Sequence, residues 1–147
     1  MFLINNSPLS EIKELSNHTN HLSDYIQFLI NDIIYYSNEE SISIKVNEVN
    51  LEEIVKFSYG VLKSLLSVMP GNKTKINCNY SYDNQLNHFT IISDKTRLIQ
   101  IMLNLISNSV KFTRSGEISI GAELIRNTID NTYYVKLYVK DTGLGLK

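Results

Sequence analysis

A chain of 147 residues is long enough for one domain with its own core, or for a helical segment joined to part of a domain. Its formal net charge of −1 offers no electrostatic pull toward nucleic acid or an anionic membrane surface. The single cysteine, Cys78, cannot close an internal disulfide, which fits a reducing compartment; no apolar run approaches the roughly 20 residues that cross a bilayer, and no secretory signal is recognisable.

In chain order, Met1 to Asn6 reads as a lead-in and Ser7-Pro8 as a helix start, with Ser as cap and Pro in the first turn. Ile12, Leu15, Thr19, Leu22, Ile26, Leu29, Ile33 and Tyr36 then alternate at steps of three and four. Tyr25, Ile30 and Ile34 widen this stripe, so the helix needs more than one neighbour, as in a four-helix bundle, and self-association through it is expected. His18 and His21 lie on the same helix. Two histidines without nearby Cys or carboxylate partners make a poor metal site, and a solvated polar face is the expected setting.

Ser37 to Ser41 breaks the helix, and Ile42, Ile44 and Val46 alternate as a short strand. Asn50 and Glu53 form a capping box for a helix whose face carries Leu51, Ile54, Val55, Ser58, Val61, Leu62, Leu65 and Leu66, and Pro70-Gly71 ends it. Ile76, Cys78 and Tyr80 alternate as a second strand, which assigns the cysteine to packing. His88 falls near a loop or short strand spanning Phe89 to Ile92, and Ser93 or Asp94 caps the next helix.

That helix, TRLIQIMLNLISNSVKFT from Thr96 to Thr113, carries the chemistry. Leu98, Ile101, Met102, Leu105 and Ile106 are expected to face the core. Gln100, Asn104, Ser107, Asn108 and Lys111 share a polar stripe. Asn is a poor helix former, so two of them one turn apart need a reason. Their stacked carboxamide oxygens suit an oxygen-loving cation, and the Lys111 ammonium suits phosphate, which together suggest a magnesium–nucleotide site. Ser115-Gly116 then turns into a strand with Ile118, Ile120, Ala122 and Leu124 on one face, and Asn127 to Asn131 forms a hairpin tip. Tyr133, Val135, Leu137 and Val139 line the returning strand, which feeds Asp141-Thr142-Gly143-Leu144-Gly145. This last segment sets a carboxylate acceptor beside two residues whose missing side chains let a ligand approach the backbone.

QIMLNLISNSVKFT resembles the N-box, and DTGLGLK the first glycine box, of the ATP-binding domain of sensor histidine kinases, within the wider GHKL ATPase superfamily. LINDIIYYS (Leu29 to Ser37) is similar to the end of the second helix of the family's dimerisation and histidine-phosphotransfer domain, so the resemblance runs from about Leu22 to the last residue. It implies an α+β fold: a helical dimerisation and phosphotransfer-like stalk over residues 1–40, then a partial Bergerat-type sandwich over residues 41–147, with helices on one face of a mixed sheet. It also implies ATP and Mg2+ as ligands. Asn108 is then the main magnesium ligand with Asn104 as its helper, Lys111 neutralises phosphate, and Phe112 packs near the adenine. Asp141 accepts the adenine exocyclic amine, Thr142 reaches the base through water, and Gly143 and Gly145 begin the ATP lid.

The implied function is ATP-dependent phosphorylation of a protein histidine in a two-component phosphorelay. The partners are a second copy through the N-terminal helix and a response-regulator receiver domain, in the cytoplasm or on the cytoplasmic part of a membrane-anchored sensor. In hydrolytic relatives such as gyrase and the mismatch-repair ATPases, a Glu four residues before the magnesium Asn activates water. Asn104 stands there and cannot act as a base at neutral pH, which favours transfer over hydrolysis. The departures are as informative. Ser7-Pro8-Leu9 matches the tail of the family's phosphoacceptor motif only with Leu3 at the histidine position, so a plain helix start is preferred and no catalytic residue is assigned. The sequence stops at Lys147, before the lid, the second glycine box and the last strand and helix of the family pattern. The alternative expectation is therefore a non-catalytic, kinase-like dimerisation or regulatory module.

Overall fold

The structure is a computed structural model and describes residues 8–37, 44–68 and 75–145. Its elements are α1 (Pro8–Ser37), β1 (Asn47–Glu48), α2 (Leu51–Val68), β2 (Ile76–Tyr82), a 3-10 turn (Asn84–His88), β3 (Ile92–Ser93), α3 (Lys95–Phe112), β4 (Gly116–Arg126) and β5 (Tyr133–Asp141). The main sheet has the order β2-β4-β5, with β2 parallel and β5 antiparallel to the central β4. Helices α2 and α3 pack together on one of its faces, giving the expected α+β sandwich with a mixed sheet.

The core forms where the apolar face of α2 meets alternate residues of β4. Ile54, Val55, Val61 and Leu62 of α2 and Ile118, Ile120 and Ala122 of β4 are fully buried. Each large aliphatic side chain so removed from water contributes about 1.5–3 kcal/mol. The capping box at the head of α2 is present: Asn50 Oδ1 accepts the Glu53 backbone N–H at 3.2 Å, and the two side chains approach at 3.5 Å. Asp94 rather than Ser93 caps α3, its Oδ1 accepting from the Arg97 N–H at 3.2 Å. Cys78 is half-buried on β2 and burial pushes its thiol up, in keeping with a packing role.

Three expectations are corrected. The strand expected around Ile42, Ile44 and Val46 pairs later, at Asn47–Glu48 against Ile92–Ser93, while Ile44 and Val46 are exposed and Ile42 lies outside the described residues, as do Pro70 and Gly71. Alternation gives a strand only where a partner edge exists. On α3, the buried residues are Ile99, Met102, Leu103, Ile106, Ser109 and Val110, whereas Ile101 is 56% and Leu105 43% exposed. The helix is thus rotated from the expected register. Finally, His18 and His21 are half-buried rather than on a freely solvated face. Both pack against α2, with His18 Nδ1 2.9 Å and His21 Nδ1 3.4 Å from Ser64 Oγ, and the His21 ring fills the space left by Gly60. Leu22, Tyr25 and Phe28 extend this contact onto the core, while Ile12, Leu15, Ile26 and Ile33 of the heptad stripe, and Ile30 beside it, are exposed.

Candidate nucleotide site

The buried side of the last turn of α3 is joined to the end of β5 by a side-chain hydrogen bond. Ser109, on the residue after Asn108 and only 5% exposed, donates its hydroxyl proton to Asp141 Oδ2 at 2.7 Å. The other carboxylate oxygen, Oδ1, accepts the Gly143 backbone N–H at 2.8 Å. Each oxygen has two acceptor positions, so one on each side remains for a ligand N–H. Asp141 pairs with Ile118 at the end of the β4–β5 ladder, so the sheet fixes its backbone and α3 fixes its side chain.

The glycine segment is held as closely. Leu144 N–H donates to the Phe112 carbonyl at 3.4 Å. A Cβ on Gly143 would come within 2.8 Å of Asp141 Oδ1, 2.9 Å of the Phe112 carbonyl and 3.0 Å of Thr113 Oγ1, so only glycine allows this approach. Gly145 has a positive φ of 70° and open space around it. Thr142 is clasped to the start of β4: its N–H donates to the Glu117 carbonyl at 3.1 Å, and its Oγ1 accepts the Glu117 N–H at 2.9 Å. The Ser119 hydroxyl and then the Asn79 amide hold the Glu117 carboxyl below the usual range.

Asn104, Asn108 and Lys111 all stand exposed on α3, the two amides one turn apart. The Lys111 ammonium lies 5.2 Å from the centroid of the Phe112 ring, which is 49% exposed. Two neutral amide oxygens are too few to hold a divalent cation alone, and the described residues contain no cluster of three or more His, Cys, Asp or Glu that could do so. The donor set fits magnesium delivered with a polyphosphate, because that ion keeps several waters and takes most other ligands from phosphate oxygens. Ser109 was missed by sequence reasoning. Its signal was a serine kept at a buried helix position where alanine is the better helix former. A separate cleft of about 470 Å³ opens beside the head of α2, and the Glu53–Lys95 ion pair on its wall spans 2.9 Å. Its lining includes Glu48, Glu53, Asn50 and Asn87 but no glycine, and none of the residues gathered at the α3–β5 corner.

This α+β arrangement is the fold of histidine kinase structures. The chain aligns over 99% of its length with full-length ShkA in complex with AMPPNP, at a TM-score of 0.55 and 22% identity, covering 28% of that chain. It aligns over 99% of its length with the histidine kinase AdeS of Acinetobacter baumannii, at a TM-score of 0.54 and 14% identity, covering 64% of that chain. No protein-family model matches. In sequence, it is 32% identical over 145 residues to hybrid signal transduction histidine kinase B of Dictyostelium discoideum, which covers 92% of this chain and 7% of that protein. Kinase L of the same organism is 32% identical over 140 residues, covering 90% of this chain and 8% of that protein, and kinase K is 28% identical over 143 residues, covering 92% and 11%. The chain is a relative of the sensor histidine kinases, and it spans only a small segment of these hybrid relatives.

Proposed function

We propose that this chain is the nucleotide-holding part of a sensor histidine kinase that phosphorylates a protein histidine in a two-component phosphorelay. The observation that carries the reading is the Ser109–Asp141 bond, which brings the Asn-bearing turn of α3 to the glycine segment after β5. Residues 41–147 form the ATP-binding domain, and residues 1–40 the helical dimerisation segment. Asn108, assisted by Asn104, holds magnesium at the phosphates, and Lys111 pairs with a phosphate oxygen. When bound, magnesium neutralises charge on the phosphoryl oxygens. Asp141 accepts the exocyclic amine of adenine, Phe112 packs beside the base, and Gly143 and Gly145 let the ligand approach the backbone. The Thr142 hydroxyl, engaged by Glu117, keeps acceptor capacity for a water bridging to the base.

The exposed Ile and Leu stripe of α1 pairs with a second copy, since one isolated helix leaves it in water. A receiver domain takes the phosphoryl group in the full-length context, and use of ATP places the site in the cytoplasm. Among the described residues, no helix is long and apolar enough to cross a membrane. The test is calorimetry of magnesium–ATP with the full-length protein. Asn108→Ala weakens the magnesium-dependent part of binding, and Asp141→Ala costs about 1.5–3 kcal/mol for a hydrogen bond to a charged group. Absence of nucleotide binding overturns the proposal. Binding without transfer of labelled phosphate to a histidine-containing domain assigns the chain to a regulatory, non-catalytic role.

A further inference from the structure

Ser109 occupies an unusual place for a hydroxyl. It sits in the last turn of α3, almost fully buried, where a serine ordinarily returns its proton to a carbonyl of the preceding turn. Here the proton crosses to another element, reaching Asp141 Oδ2 at 2.7 Å. A carboxylate acceptor makes that bond stronger than a neutral one. Asp141 is itself exposed at the end of a strand, and the Gly143 N–H at Oδ1 is a contact within its own loop. Ser109 is therefore the side chain that fixes the carboxylate to the body of the domain.

We infer that Ser109 is a positioning residue that sets the orientation of the Asp141 carboxylate and, through it, the selectivity of the site for a purine bearing an exocyclic amine. The inference rests on the nucleotide reading above. Its physical basis is acceptor geometry. With one position on Oδ1 taken by Gly143 N–H and one on Oδ2 taken by Ser109, the carboxylate plane is held and the remaining lone pairs keep a fixed direction. Without the Ser109 hydroxyl the carboxylate rotates about its last bond, and a ligand N–H must order it on binding. A purely structural role forecasts a lower melting temperature and equal weakening of both ligands when the hydroxyl is removed; the positioning role forecasts neither. Alanine is the better helix former and nothing buried loses a partner, so Ser109→Ala leaves the fold intact or steadier.

The test uses the full-length protein, with ATP and the triphosphate of unsubstituted purine riboside as probes in magnesium buffer. The wild-type protein prefers ATP, and Asp141→Ala abolishes that preference. Ser109→Ala is expected to lower the ratio of the two affinities about fivefold, the worth of roughly one hydrogen bond. Binding of the amine-free probe and the melting temperature stay in place, and Ser109→Thr restores the ratio. If Ser109→Ala weakens both probes equally, or leaves the ratio untouched while Asp141→Ala abolishes it, the positioning role is wrong. If the wild-type protein does not discriminate between the probes and Asp141→Ala changes nothing, the nucleotide reading itself has failed.

Discussion

His18 Nδ1 lies 2.9 Å from Ser64 Oγ, and the hydroxyl proton of Ser64 is already committed to the Gly60 carbonyl at 2.9 Å. The oxygen therefore accepts, which requires His18 to carry a proton on Nδ1. Ser64 is fully buried, so Ser64→Ala removes the acceptor that ties α1 to α2. The His18 ring is half-buried, so the loss costs the net worth of one hydrogen bond, about 0.5–1.5 kcal/mol. Hydrogen exchange should show faster exchange in the middle of α1, with α3 and β4 protected as before. Unchanged exchange in α1 would show that apolar packing by Leu22, Tyr25 and Phe28 alone holds the helix.

The exposed side of α1 makes a separate forecast. Ile26 and Ile33 point away from the domain, with Ile33 70% exposed, whereas Leu22 packs against the core. Ile26→Asp plus Ile33→Asp should therefore shift sedimentation from dimers toward monomers without unfolding the domain. A monomer for the unmutated protein at micromolar concentration counts against the pairing surface.

The uneven legibility of this chain has physical causes. The polar stripe stood out because asparagine is costly inside a helix, and Asp141-Thr142-Gly143 because it follows a strongly alternating strand. The rotation of α3 did not stand out, since Ile99 and Leu103 inside and Ile101 and Leu105 outside give it apolar residues on several faces. Periodicity then fixes the presence of a helix but not its azimuth. His18 and His21 were misplaced for a related reason. The heptad stripe drew attention to one side of α1, while the side packed on α2 uses aromatic and imidazole rings against a glycine. Ser109 lies outside the polar stripe, on the buried face of α3, so periodicity gave it no role, although its hydroxyl links the two motifs.

Gly116 and Thr142 should behave as one unit. Gly116 has a positive φ of 115°, and a Cβ there would run into the Thr142 hydroxyl. Gly116→Ala therefore combines backbone strain, worth about 1–3 kcal/mol, with loss of the Glu117–Thr142 clasp. Thr142→Val removes the hydroxyl half of that clasp, the bond from Glu117 N–H to Oγ1, without the strain. In urea unfolding, the double variant should be less destabilised than the sum of the single ones. Strict additivity would mean that the two positions are not coupled.

Asp94 gives the fold a dependence on acid. Its carboxylate accepts the backbone N–H of Lys45 at 2.9 Å through Oδ2 and that of Arg97 at 3.2 Å through Oδ1, joining the approach to β1 to the head of α3. The Lys45 bond first, then the Arg97 bond, hold this carboxyl below the ordinary aspartate value. A depressed value in the folded state means stabilisation that is complete above the unfolded value, about pH 4, and lost as the pH falls through the lower folded one. Asp94→Asn keeps a good helix cap but cannot titrate. The difference in melting temperature between wild type and Asp94→Asn should therefore favour the wild type near neutrality. It should shrink progressively below about pH 4, as the carboxyl protonates and the two side chains become electrically alike. A difference that stays constant across that range would mean that the carboxylate charge contributes nothing to these two bonds.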